Sequence, residues 1–311
     1  MLHKKSYLIT ICLAMNLVVV GTVSAQTSEK KAKNPFRVRA SVGWEYDSNV
    51  SVDEVDVDST AGDSSIALAA NLSYKNALTK DTSGSISYGF SQNDYSDFSA
   101  FDLRTQTLSG NLTHDFGKFK GGATLRHITA DLDSEDFLTL DQVSLFANRF
   151  VNKTVYLHGE YTYTDKELDS FSGRDATKNA ISTDVYFFLD GAKRFWVLGY
   201  KYEDEDANEA QFDRTIHSFK VRYNRRFSAL GREMKAKFKG RYQLRDYDSI
   251  TPSIGEIRDE DRLRLGVELE IPLKNRFFMV LEYEYADFSS NLLSADYTQS
   301  VVGVKVGWRN Q

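Results

Sequence analysis

Every second residue from Lys235 to Arg241 is basic. Alternate side chains of an extended strand point to opposite faces, so this spacing places four cations on one face. Neighbouring stretches carry further basic residues and carboxylates at the same parity. We predict that these charged residues line the lumen of a barrel. The basic members are Arg37, Arg39, Lys220, Arg222, Lys235, Lys237, Lys239, Arg241, Arg262 and Arg264, and the acidic members are Glu268, Glu270, Glu282 and Glu284. Basic residues beside acidic ones on the inner wall of a barrel produce an electric field across the lumen. Such a field favours anions or orients polar solutes.

The sequence is compatible with two roles for these charges. They can pair across neighbouring strands and fill the interior of a barrel, for example Arg264 with Glu282 or Glu284. They can also contact a passing solute directly, and both roles can hold at once. Elsewhere we expect the same face to carry mostly Ser, Thr, Asn and Gly.

Other residues that could carry chemistry give weaker signals. His158 and Glu160 share one strand face, where an acid can orient an imidazole, but no serine or aspartate motif accompanies them. We therefore expect no enzymatic activity. Acidic residues crowd two predicted loops, 50–64 and 203–213, where calcium is one interpretation, but the spacing lacks a known loop motif. We expect these loops to be solvated and bridged to lipopolysaccharide by divalent ions, and we predict no resident metal or cofactor.

The elements that position these residues are predicted to be strands. From Pro35 onward, apolar and polar residues alternate with a period of two, as from Leu263 to Ile271. Reading all such runs predicts about 14 strands, with 12 or 16 as alternatives. The predicted fold class is all-β, a transmembrane antiparallel up-and-down β-barrel.

The connections and aromatic residues favour the same fold. Connections after odd-numbered strands look long and acidic, and those after even-numbered strands look short, which is typical of a barrel with both termini in the periplasm. Aromatic residues such as Trp44, Tyr46 and Tyr283 lie on the apolar face near strand ends, where interfacial girdles form. A soluble β-sandwich or solenoid also alternates, but it does not usually separate long from short connections this regularly.

Composition and the N-terminus narrow the class of protein. The 311 residues include three prolines and one cysteine, with a formal net charge of −5 and a mean hydropathy of −0.43. These values exclude collagen, a disulfide scaffold and a helical membrane protein, and they argue against nucleic-acid binding. Residues 1–25 are predicted to be a signal peptide cleaved near Ala25, 26–35 a periplasmic leader and 36–311 the barrel.

A short motif carries a family resemblance. The run from Gly43 to Val50, GWEYDSNV, resembles the YDSN opening of the barrel domain of surface lipoprotein assembly modifiers and of exopolysaccharide-associated porins. The ending around Asn291 and Tyr297 is similar to those families too. This resemblance implies a Gram-negative outer-membrane β-barrel and a role in surface export.

We therefore expect a porin-like outer-membrane channel that passes small polar or anionic solutes or assists export of a surface polymer or lipoprotein. The alternative is a closed structural or adhesive barrel whose lumen is plugged by its own charges, and an outer-membrane hydrolase is a minor one. Expected partners are outer-membrane lipid and lipopolysaccharide, the barrel assembly machinery, and polysaccharide or lipoprotein export components, without nucleic acid.

Overall fold

The computed structural model describes residues 35–310, so the predicted signal peptide and residues 26–34 of the predicted leader lie outside the described residues. The strands are β1 (Phe36–Asp47), β2 (Ser51–Val52), β3 (Val57–Asp58), β4 (Asp63–Ala77), β5 (Thr82–Tyr95), β6 (Leu103–Asp115), β7 (Lys120–Leu132), β8 (Glu135–Phe150), β9 (Val155–Leu168), β10 (Ala176–Asp190), β11 (Arg194–Ala207), β12 (Arg214–Ala229), β13 (Arg232–Thr251), β14 (Glu256–Pro272), β15 (Phe277–Ser290) and β16 (Tyr297–Arg309). The 3-10 helices are η1 (Ser99–Phe101), η2 (Ser172–Arg174), η3 (Ala210–Phe212) and η4 (Leu293–Ala295). Within residues 35–310, no helix is long and apolar enough to span a membrane.

The described chain forms one closed antiparallel barrel of 14 strands, β1 and β4–β16. Strands β4 to β16 pair in sequence order, and β1 closes the barrel by pairing with both β4 and β16. Trp44 on β1 therefore lies opposite both Ile66 and Val304. A closed sheet has no unpaired edge, as a lipid environment requires. The predicted fold class and strand number are confirmed.

The two faces of each strand differ because polarity alternates along the chain. On β14, Leu265 and Val267 are 44% and 40% exposed, whereas Arg262 is 2% exposed. Exposed aromatic residues such as Tyr161 and Tyr200 share the outer face. Large apolar side chains outside and charged ones inside are the reverse of a soluble protein and match a barrel embedded in lipid.

Short connections define one end of the barrel, which we call the turn end. They are residues 78–81, 116–119, 151–154, 191–193, 230–231 and 273–276. The described chain begins at this end with Pro35, and β16 finishes there opposite Arg39. The predicted short turns after even-numbered barrel strands are confirmed.

The opposite end, which we call the loop end, differs from the prediction. Among the described connections there, only residues 48–62 form a long loop, and Glu203–Ala207 belong to β11 rather than to an acidic loop. Between β7 and β8 the connection is a two-residue turn, with Asp133 and Ser134 at φ 49° and 68°, as such hairpins require. The prediction of long loops after odd-numbered strands is confirmed for residues 48–62. It was wrong for the other connections, because the strands continue to pair through segments that are polar on both faces, as Glu203–Ala207 do with β10.

Candidate functional site

The predicted charged residues lie on the inward parity of β1 and β12–β15, but they differ in accessibility. Glu270 is 4% exposed, whereas the side chain of Arg241 remains exposed within the barrel. Arg37, near the start of β1, is also exposed, and no described residue forms an ion pair with it within 4 Å. The barrel interior is therefore filled in some places and open to water in others.

Glu270 is the centre of a charged group near the turn end. It accepts bonds from Arg39 at 2.9 Å, Lys235 at 2.7 Å and Arg309 at 2.6 Å. The Arg39 guanidinium also lies 3.8 Å from the centroid of the buried Phe278 ring. Three cations on one carboxylate leave a net positive charge at this site.

Two further carboxylates of the predicted set bind lysines. Glu268 contacts Lys237 at 2.7 Å and Lys239 at 3.8 Å. Glu282 shares Lys305 with Glu45, at 2.6 and 2.5 Å. Lys305 was not among the predicted residues, although it lies between the outward-facing Val304 and Val306 and so has inward parity.

The loop of residues 48–62, here called the first loop, folds into the loop end of the barrel. Its valines Val50 and Val52 are 1% and 0% exposed. They belong to an apolar cluster formed with residues of β7, β8, β9 and η1: Phe101, Ala130, Phe137, Leu138 and Leu168. One side of the first loop is thus held by hydrophobic packing.

The other side of the first loop is held by arginines of β14 and η2. Asp56 accepts two hydrogen bonds from Arg258, each 2.7 Å, and another of 2.7 Å from Arg174. Asp53 pairs with Arg264 and, at 3.4 Å, with Arg262. Arg258 and Arg262 also contact Glu260. The expectation that Asp53 and Asp56 lie on a solvated outer loop was wrong.

The buried carboxylates of the first loop stay ionised. Burial raises the pKa of Asp56, but hydrogen bonds and charge from Arg258 outweigh burial and hold that pKa well below its usual range. Burial also opposes ionisation of Asp53, yet the charges of Arg264 and Arg262 lower its pKa. These contacts therefore persist in moderately acidic solution.

A second buried charge group lies at the loop end of β9–β12. Glu205, which the sequence placed in an outer loop, pairs with Lys166, with Lys178 at 3.2 Å and with Arg214 at 2.7 Å. Glu54 of the first loop is close enough to be affected by the same charges. Burial raises the pKa of Glu54, but the charges of Lys178 and Lys166 outweigh burial, so the net shift of the pKa is downward. The first loop therefore meets charged residues on two parts of the wall.

Basic residues midway along β12 and β13 have fewer partners. Lys220 pairs with Asp184 at 2.8 Å. Arg222 and Arg241 form no ion pair within 4 Å among the residues that the structure describes. They are the members of the predicted set, besides Arg37, that the structure leaves without a carboxylate.

Aromatic side chains line the neighbouring inner wall of β8–β11, which the sequence predicted to be mostly Ser, Thr, Asn and Gly. The lumen aromatic patch comprises Phe146, Phe150, Tyr156, Tyr186, Phe188 and Phe195. The Tyr156 and Tyr186 rings lie 5.4 Å apart, edge to face, and the Phe188 and Phe195 rings lie 5.5 Å apart. The patch adjoins the basic residues of β12.

The histidines do not form an evident catalytic group. His158 lies 3.7 Å from Glu160, and its ring is 5.8 Å from that of Phe146. His217 is bonded to the Tyr200 hydroxyl at 2.8 Å on the outer face. Across residues 35–310, no group of three or more His, Cys, Asp or Glu side chains is arranged to hold a metal ion.

A closed antiparallel barrel with an apolar exterior and a charged, partly accessible interior has the architecture of an outer-membrane β-barrel. No protein-family model and no curated protein matches the sequence. Among solved structures, a bacterial polysaccharide outer-membrane secretin aligns with a TM-score of 0.48 and 9% identity over 90% of this chain and 100% of that chain. OccAB3 of Acinetobacter baumannii aligns with a TM-score of 0.48 and 8% identity over 88% and 99%. OprD of Pseudomonas aeruginosa aligns with a TM-score of 0.46 and 10% identity over 88% and 94%.

Proposed function

We propose that the protein is an outer-membrane channel for small anionic solutes. One observation carries the proposal: the Arg241 side chain is exposed inside the barrel and has no carboxylate within 4 Å among residues 35–310. Lys220 and Lys239 beside it are 37% and 28% exposed. A water-accessible cationic wall concentrates anions and admits them more readily than cations.

The first loop closes the loop end of this channel in the described conformation. Its valines pack against β7–β9, and its aspartates bind arginines of β14, so the loop spans the lumen between facing parts of the wall. Passage then requires the first loop to move. The two strands that flank the first loop are joined at its base, where Asp47 of β1 and Asp63 of β4 are register partners.

The orientation and surroundings follow from this function. We propose that the turn end lies in the periplasm, that residues 1–25 are a signal peptide cleaved near Ala25, and that residues 26–35 lead into a single barrel domain, 36–311. The outer face contacts lipid and lipopolysaccharide after insertion by the barrel assembly machinery. We also propose that its partners include components that export a surface polymer or lipoprotein. We propose no catalytic activity.

The second candidate is a closed structural or adhesive barrel. The buried network of Asp56, Arg258 and Arg262 favours it, because breaking such a network costs several kcal/mol (about 3–5). The two candidates differ in whether the lumen conducts ions once the first loop is removed.

Planar-bilayer recording on the refolded full chain tests both candidates. The wild type is compared with a variant in which residues 50–60 are replaced by a short Gly-Ser linker, which the adjacency of β1 and β4 permits. We expect the variant to show conductance steps and an anion-selective reversal potential in a KCl gradient. If both proteins are folded by circular dichroism and neither conducts, the channel proposal fails and the closed barrel stands. Cation selectivity would contradict the role of the basic wall.

A further inference from the structure

Four cations midway along the inner wall are arranged as two consecutive like-charged pairs. Lys220 on β12 is the register partner of Arg241 on β13, and Arg222 is the partner of Lys239. Side chains directly opposite on neighbouring strands have Cβ atoms about 5 Å apart, and like charges there are destabilising. We call Lys220, Arg222, Lys239 and Arg241 the cation square.

The carboxylates around the cation square leave it with excess positive charge. Asp184 binds Lys220, and Glu268 lies nearer to Lys237 than to Lys239. On β14, the position opposite Lys239 is Gly266 and that opposite Arg241 is Arg264, so neither supplies a carboxylate. Among the described residues, no carboxylate lies within 4 Å of the Arg222 or Arg241 guanidinium, and Glu284 and Glu203 act on Arg241 only from farther away. Two guanidinium groups without a directly bound carboxylate, in an accessible wall, fit a dianion.

An aromatic surface adjoins the cation square. One row of register partners runs from Tyr156 through Tyr186 and Val197 to Arg222. Tyr186 and Arg222 thus lie in one register row, separated by Val197, and the Tyr186 ring is only partly covered by Tyr156 and Phe195. An aromatic face of this kind stacks on sugar rings and nucleobases, which carry their own apolar faces.

We propose that the cation square and Tyr186 bind the phosphate monoester of a ring compound, namely a sugar phosphate or a nucleoside monophosphate. A phosphate monoester carries a charge of about −1.5 to −2 at pH 7, which matches the two unpaired guanidinium groups. The planar fork of arginine fits phosphate oxygens in pairs. The inference rests on the proposed channel function for the route by which the solute arrives, but binding itself requires no conduction.

Isothermal titration on the folded full chain in detergent micelles at low ionic strength tests the proposal. The probes are glucose 6-phosphate and AMP, with inorganic phosphate and glucose as the charge-only and ring-only controls. We expect at least one phosphate ester to bind about tenfold more tightly than inorganic phosphate, because it adds ring stacking. Tighter binding of glucose 6-phosphate assigns the site to sugar phosphates, and tighter binding of AMP assigns it to nucleotides.

Substitutions separate the charged part of the site from the aromatic part. R222Q and R241Q are each expected to weaken ester binding about tenfold, since each removes a charged hydrogen bond. Y186A is expected to weaken ester binding and leave inorganic phosphate binding unchanged, whereas Y186F retains the ring and the affinity. R126Q is the matched control: Arg126 lies on the inner wall and bonds Gln142 at 2.8 Å, away from the cation square.

Three results would overturn the proposal. They are inorganic phosphate binding as tightly as both phosphate esters, equal loss of ester affinity with R126Q and R222Q, and ester affinity that is unchanged in Y186A. The titration does not depend on conduction, so the two proposals can fail separately. If the protein binds the esters but conducts no ions, the binding site stands and the channel proposal fails. If the protein conducts ions but does not bind the esters, the channel proposal stands and the binding site fails.

Discussion

Arginines at the loop end of the lumen and arginines halfway along it occupy the same inward face of neighbouring strands, yet their states differ. Arg258 and Arg262 are 3% and 2% exposed, and each contacts more than one carboxylate. Arg241 is exposed and contacts none within 4 Å in the described part of the chain. The difference comes from Glu260 on β14 and from the first loop, which brings Asp53 and Asp56 to the loop-end arginines and does not reach Arg241. Arginines of the inner wall therefore hold the first loop in place where the chain supplies their carboxylate partners. Where it supplies none, they remain available to bind a solute.

The largest effect is expected from removing the counterions that the first loop supplies. D53N/D56N leaves Arg258, Arg262 and Arg264 without these buried partners, and breaking such pairs costs about 3–5 kcal/mol. We expect the first loop to leave the lumen and the conductance to rise to that of the linker variant. Planar-bilayer recording measures this rise.

The matched control for this change is D169N/D259N, which removes two exposed aspartates that have no ion pair within 4 Å among residues 35–310. Its conductance should equal that of the wild type. If D53N/D56N stays as closed as this control, the apolar side of the first loop alone is sufficient for closure.

Acid should open the wild type in the same way. The pKa values of Asp53 and Asp56 are lowered in the closed state, so their contribution to closure is complete above the ordinary aspartate pKa of about 4. It is lost as the pH falls below that value through the lowered pKa values. We expect a closed channel from about pH 5 to 8 and increasing open time below about pH 4.

The aspartate variant serves as the reference for this pH series. D53N/D56N keeps Glu54 and Asp58 but lacks the two first-loop carboxylates that bind arginines of β14, so its conductance should be similar at neutral and acidic pH. A wild type that opens midway between pH 5 and 7 would show that other groups control closure.

Two single substitutions compare the arginines directly. R262Q leaves Asp53 and Glu260 short of a buried partner, and we expect it to lower the free energy of unfolding by about 3–5 kcal/mol. R241Q removes a cation opposite Lys220 and Arg264, so stability should change by less than about 1 kcal/mol, in the stabilising direction. Urea unfolding in lipid vesicles measures both, and equal losses would contradict the division of the lumen.

The smallest effect is expected in ion selectivity. K237Q/K239Q/R241Q in the linker background should shift the reversal potential towards cations, because these side chains are accessible to the permeating ions. Raising the salt from 0.1 to 1 M shortens the screening length from about 10 to about 3 Å and should weaken anion preference without opening the wild type. A reversal potential unchanged by the triple substitution would place these lysines and Arg241 outside the ion pathway.

The barrel could be predicted from the sequence because it is encoded locally. A period of two fixes which residues of a strand face lipid, and residues such as Leu265 and Val267 repeat that signal along the chain. The same parity gives Glu270 and Lys235 a common face. Their pairing then follows from strand order.

The first loop and its arginines could not be predicted in this way. Asp56 and Arg258 are 202 positions apart, and nothing in their local spacing indicates that they meet. The signal that was available lies in the valines: Val50, Val52 and Val55 are unusual in an exposed acidic loop and indicate burial.

The aromatic patch was missed for another reason. Tyr186, Phe187 and Phe188 are consecutive aromatic residues, so polarity does not alternate there and gives no indication of which two face inward. Only the register with Val197 and Phe195 on β11 places Tyr186 and Phe188 inside.

The pairing of β1 with β16 has a consequence for assembly. Residues 39–47 pair with residues 301–309, so the seam joins nearly the two ends of the described chain. Until the last strand arrives, two edges stay unpaired and prone to pairing with other chains. The first loop reaches Tyr297 on β16 and arginines on β14, so the wall that receives it is complete only when the seam closes. We therefore expect barrel closure and first-loop docking to be one late cooperative event, with amide protons of β1, β16 and the first loop gaining protection together in pulsed hydrogen exchange; protection of the first loop before the seam would contradict it.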